Sequence, residues 1–175
     1  MNLSNIALVD LAALVSETLR KYHIDAVLVG GACVSIYSDN RYESSDLDFV
    51  CYQSLNAIEA ALRELHFVRQ GRLFTHRECP YFLDFVNPPV AIGHEPIHQF
   101  NLLKTANGCI KLLSPTDCVK DRLAAFFHWK DIQSLEQAIM IAKETDIDLD
   151  QVKQWARSED QADKLETFLT KLGAP

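Results

Sequence analysis

Residues 27–50 read VLVGGACVSIYSDNRYESSDLDFV, and this stretch decides the fold. The run that opens it, Ala26 to Val29, is apolar and rich in β-branched residues, as expected of a short buried strand. It stops at Gly30-Gly31. Further on, Asp46 to Cys51 is expected as a second strand with acids at alternate positions. Strand alternation puts Asp46 and Asp48 on one face and turns Leu47 and Phe49 into the core. Two like charges on one face of an apolar strand are costly unless a cation sits between them, and a divalent metal is the simplest such cation.

The segment after the glycine pair, Ala32 to Ser38, is expected as a short helix. Its first-turn N–H groups would favour an anion, and the glycines would let a ligand approach the main chain. A strand-to-helix turn that needs glycine for packing alone explains the pair equally well. A third acid lies in YFLDFV, residues 81–86, where Asp84 interrupts an apolar strand after Pro80. An embedded carboxylate needs a partner, because burial alone would cost several kcal/mol. That partner is either the same cation or a nearby arginine.

Composition bounds the rest. A chain of 175 residues with 48% hydrophobic and 23% charged residues is an ordinary globular protein with a sizeable core. No apolar run approaches the ~18 residues of a membrane span, and Asn2, Ser4, Asn5 and Asp10 interrupt any signal-peptide pattern. Five cysteines without a CxxC pair point to reduced thiols and a cytoplasmic location. The net charge is −7, yet residues 69–130 hold eight Lys/Arg against five Asp/Glu. This mildly basic middle is either a solvated surface or a local landing place for phosphates. The acidity of the whole argues against a broad DNA-coating surface.

Outward from the centre, Ser4 is expected to cap a helix to about Tyr22 with a Leu8, Leu11, Val15, Leu19 stripe. Ser54 opens another helix, followed by short strands at Phe67-Val68 and Leu73-Phe74. Residues 87–99 read as loop. Within them His94-Glu95-Pro96-Ile97-His98 matches H-E-x-x-H, but Pro96 breaks the helix on which a zinc site of that kind depends, so a chance match is the better reading. Phe100–Thr105 and Cys109–Leu113 form a hairpin about Asn107-Gly108. Ser114-Pro115-Thr116-Asp117 is a strong helix start, and three further helices follow, the last with a Ser158/Gln161 capping box. The fold class is α/β (α+β), a mixed sheet flanked by helices over 1–113, with a C-terminal helical subdomain over 114–175.

Gly30-Gly31, then Asp46-Leu47-Asp48-Phe49, then Asp84 in a later strand, together resemble the pattern of the nucleotidyltransferase superfamily related to DNA polymerase beta. Arg41, Ser44 and Ser45 resemble the lead-in of its abortive-infection toxin branch (AbiEii type). Arg122-Leu123-Ala124-Ala125 and Lys130-Asp131 resemble that branch's later motifs, with Arg122 standing where the branch carries lysine. Fourteen residues separate Gly31 from Asp46, a long gap for the pattern. The resemblance implies transfer of a nucleoside monophosphate from a nucleoside triphosphate, with two Mg²⁺ ions held by Asp46, Asp48 and Asp84. It also implies triphosphate contacts from Gly30, Gly31 and Ser45, and from Lys120 or Arg122 unless these pair with Asp117 or Asp121. The acceptor would be an RNA such as a tRNA end, a protein or a small hydroxylated molecule, and a toxin would have a cognate antitoxin. The alternative is an inactive protein of the same fold that binds or regulates.

Overall fold

The computed structural model describes residues 3–173. The run Ala26–Val29 forms strand β1, and Asp46–Cys51 forms β2. They pair antiparallel, Val29 opposite Asp48 and Leu28 opposite Phe49. Phe82–Val86, β5, lies parallel on the other side of β2, with Asp48 opposite Asp84. Beyond β5 come β4 (Leu73–Thr75) and β3 (Val68–Gln70); beyond β1 come β9 (Gly108–Leu112) and β8 (Asn101–Thr105). The result is a seven-stranded mixed sheet in the order β3-β4-β5-β2-β1-β9-β8.

Alternation along these strands separates two faces. Leu28, Leu47, Phe49, Phe74 and Leu83 are fully buried on one. There Phe85 stacks on Phe49 with ring centroids 5.6 Å apart and meets the edge of Phe74 at 5.4 Å. The other face carries Asp46, Asp48 and Asp84. Helix α1 (Leu8–Lys21) lies against β9 and against α3 (Leu55–Leu62), burying the stripe Leu8, Leu11, Val15 and Leu19. Helix α2 (Gly30–Tyr37) starts directly at the glycine pair and packs on β2.

The C-terminal part is α4 (Pro115–Trp129), α5 (Ile132–Glu144), α6 (Leu149–Ser158) and α7 (Ala162–Leu172). Ser114 caps α4 as expected, its Oγ accepting from Asp117 N at 3.1 Å. Helix α4 packs on α2, α5 and α6. One apolar cluster runs through both parts of the chain, from Leu3 to Phe168.

Four local expectations are corrected. Helix α1 is capped at Ala7, not Ser4, because the chain turns first and buries Leu3. Residues 87–99 are not all loop: β6 (Ala91–Ile92) and β7 (Glu95–Pro96) pair as a two-stranded ribbon. This ribbon also accounts for the H-E-x-x-H string, whose residues run through a turn, a short strand and irregular chain and not a helix. The last helix begins at Ala162 and lacks the capping box; Ser158 instead closes α6 by donating to Trp155 O at 2.7 Å. The third strand is Val68–Gln70, since Phe67 is drawn into the core. All five cysteines are free, and Cys33, Cys51 and Cys118 are buried. No helix among the described residues is long and apolar enough to cross a membrane.

The sheet's buried face predicts a graded cost of truncation. Phe49→Ala removes a fully buried ring and is expected to destabilise by about 3–5 kcal/mol, whereas Val68→Thr on the exposed edge strand should stay within about 0.5 kcal/mol. Urea unfolding of the two variants beside the wild type measures both.

Candidate functional site

The site grows from the corner between β1 and α2. Gly30 has φ +68, a backbone conformation that side chains resist, and a Cβ placed there would lie 2.5 Å from Asp48 Oδ2. Glycine at this position therefore lets the main chain press against a carboxylate. Gly31 serves a second close approach, since its Cβ would lie 2.9 Å from Ser44 Oγ. That hydroxyl donates to Asp46 Oδ1 at 2.9 Å, and the Ser44 main-chain N–H donates to Ser35 Oγ at 2.9 Å. Sequence reasoning singled out Ser45 for ligand contact. Ser45 is exposed at the rim, while buried Ser44 orients Asp46. The signal for Ser44 was its spacing, two residues ahead of an acid that points the same way.

Asp48 feels the consequences. Burial, then the charges of Asp46 and Asp84, push its carboxyl up to about 6, and the Arg122 guanidinium only partly opposes them. Asp84, directly opposite Asp48 in the sheet, is buried and forms an ion pair with Arg72. Of the two partners open to Asp84, the arginine is the one seen, but it is a rim residue with 76% of its side chain exposed. Among the described residues, no three His, Cys, Asp or Glu side chains stand together as a ready-made metal cluster. Asp46 and Asp48 nonetheless fit a hard cation. They offer carboxylate oxygens, and the ionisation of Asp48, held back by burial and by like charges, is what an added divalent charge relieves.

The two cations expected from α4 part ways. Lys120 is buried and held by Asp117 Oδ1 at 2.9 Å and Glu95 Oε2 at 3.0 Å. Burial opposes its charge, and these two carboxylates outweigh burial and raise its pKa. Arg122 is bound to its neighbour Asp121, the Nε–Oδ2 distance being 3.0 Å, yet its charge reaches Asp48. Arg41 pairs with Glu144 on α5. Asp131 caps α5, accepting from Gln133 N at 3.0 Å and Ser134 Oγ at 2.6 Å.

Beside the acids the same sheet face floors a cleft of about 170 Å³, lined by Val29, Val50, Val86, Ile92 and Asp121. Val50 and Val86 lie two residues, about 7 Å, along their strands from Asp48 and Asp84. The β6–β7 ribbon forms the far wall, and the carboxylate of Glu159 fastens it. Glu159, 1% exposed at its side chain, accepts from His94 N at 2.7 Å and contacts His94 Nδ1 at 3.0 Å. A Cβ on Gly93 would fall 2.4 Å from that carboxylate. Trp155 Nε1 adds a bond to Ile92 O at 3.2 Å. A larger hollow of about 320 Å³ lies elsewhere, lined by Ser16, Arg20, His23 and Lys111 among others. Its charges are already engaged, Arg20 with Glu17 and the Cys109 carbonyl and Lys111 with Asp25, so the acidic corner is the better site.

The displaced ionisation of Asp48 has a stability consequence. Its folded value lies above the ~3.9 of an unfolded chain, so between about pH 4 and 6 the folded protein binds more protons than the unfolded one and loses stability as pH rises. Asp48→Asn removes that loss. In metal-free buffer the variant is expected to melt above the wild type at about pH 7, with the difference vanishing below about pH 4. Paired thermal melts test this, and equal midpoints at pH 7 would refute it.

No protein-family model matches the chain, and no curated protein matches it in sequence. Solved structures do match in shape. An antigenic nucleotidyltransferase-like protein from Paracoccidioides brasiliensis superposes with a TM-score of 0.56 at 15% identity, over 93% of this chain and 94% of that one. ANT(2'')-Ia in complex with adenylyl-2''-tobramycin gives 0.53 at 12% identity, covering 84% and 93%. A solution structure of the same antibiotic-resistance factor gives 0.50 at 14% identity, covering 91% and 96%. The fold of this chain, a mixed sheet flanked by helices, is that of nucleotidyltransferase-like proteins.

Proposed function

We propose that the chain transfers a nucleoside monophosphate from a nucleoside triphosphate to a hydroxyl group, with Asp46, Asp48 and Asp84 as the ligands of Mg²⁺. The observation that carries this reading is the Asp48 carboxylate, pressed against a Cβ-less corner between two further acids. Two Mg²⁺ bound there would neutralise phosphate charge, activate the attacking hydroxyl and stabilise the departing pyrophosphate. The protein's own part is positioning. Ser44 fixes Asp46, and Gly30 and Gly31 offer main-chain N–H groups at the start of α2, where an anion is favoured. Ser45 lies at the same rim. Arg122 is the better placed α4 cation for the outer phosphates, because Lys120 is already committed to two carboxylates. Asp84 would hold the metal on the nucleophile side. In this reading 1–113 form the catalytic core and 114–175 the helical part that brings Arg122 to it.

ANT(2'')-Ia has been captured with adenylyl-2''-tobramycin, which favours ATP as donor and a small polyhydroxylated molecule as acceptor. An RNA acceptor, and with it a toxin role and an antitoxin partner, rests on the lead-in resemblance alone. Arg41 and Asp131, two residues of that resemblance, act here as an ion-pair partner and a helix cap.

The test incubates the protein with each α-labelled nucleoside triphosphate, Mg²⁺, and either small polyols and aminoglycosides or total RNA. Label transfer is expected to fall more than about 100-fold in Asp46→Asn and Asp48→Asn. Nucleotide binding without transfer to any acceptor, in wild type and variants alike, would replace the enzyme with a binding module.

A further inference from the structure

We infer that Arg72 is an exchangeable counter-ion for Asp84, competing with divalent metal and so setting how much metal the site requires. The inference rests on the reading of the acidic corner as a metal site. Asp84 lies in the middle of β5 with only 7% of its side chain exposed, opposite Asp48. An ionised carboxylate so placed needs a cation facing it whenever the protein is folded. Arg72 supplies one, and it also feels the charge of Asp48.

The two partners are held very differently. Asp84 is fixed by a strand with neighbours on both sides. Arg72 stands at the tip of the β3–β4 hairpin with 76% of its side chain exposed, next to Gly71, which has open space around it. Arg69 on the same hairpin is tied back, its Nε donating to Gly71 O at 2.8 Å and its Nη1 to Asn56 Oδ1 at 3.0 Å. Arg72 instead reaches inward to the acid. A divalent ion placed between Asp48 and Asp84 brings twice the charge to both carboxylates and makes the guanidinium redundant there. Its release into solvent costs little, because most of it is already hydrated. Arg72 thus faces the buried Asp84 carboxylate when metal is scarce and withdraws when metal binds.

Mn²⁺ alone serves as the probe, its binding read by electron paramagnetic resonance and calorimetry on the full chain. Arg72→Met keeps the apolar stem and removes the charge. It is expected to bind Mn²⁺ about fivefold more tightly than wild type, to melt lower than wild type without metal, and to regain the difference at saturating Mn²⁺. Arg72→Lys keeps a charge without the planar fork and is expected to fall between the two. Unchanged or weaker Mn²⁺ binding in Arg72→Met, together with its loss in Asp48→Asn, would overturn the inference and leave the metal site standing. Mn²⁺ binding that is absent in wild type, or indifferent to Asp48→Asn, would overturn the metal site and the inference together.

Discussion

The structure turns on a carboxylate held where ionisation is unfavourable. Asp48 stands on an open sheet face with Asp46 two residues before it and Asp84 across the ladder, and the backbone of Gly30 closes over it. Each neighbour is fixed by a different device. Strand alternation places Asp46, parallel pairing with β5 places Asp84, and a left-handed glycine places the wall. None can shift without breaking ladder hydrogen bonds or the α2 start. The positions that carry the excess negative charge are therefore set by the backbone. The protein answers it with two arginines at the margin, Arg72 from the hairpin and Arg122 from α4.

This logic explains what was legible in the sequence. Asp46 and Asp48 could be assigned to one face because a period of two is a local property, with Leu47 and Phe49 as the apolar alternates, whereas Asp84 joins them only through the pairing of β5 with β2. Ser114 could be read as a cap because the box it forms with Asp117 lies within four residues. What could not be read was long-range. Lys120 and Arg122 sit two apart on one helix and looked interchangeable; Glu95, twenty-five residues upstream of Lys120, separates their roles. Arg72 looked like any surface arginine, since its partner is known only once β4 is laid beside β5. Ser158 and Gln161 had the right residues for a cap, but Trp155 and the buried Glu159 drew that segment into the previous helix.

The similarity to nucleotidyltransferase-like structures spans most of each chain at 12–15% identity. A fold shared at that level limits chemistry without choosing it. In the proposal made above, that choice rests on the three acids and the glycine corner beside them.

The ribbon that walls this cleft is clasped by Glu159, sixty-five residues beyond His94 in the chain. During synthesis the ribbon leaves the ribosome well before the residue that clasps it. The wall of the cleft is consequently finished last, from the far end of the polypeptide, and a nascent chain carries its ribbon unclasped until the closing helices emerge.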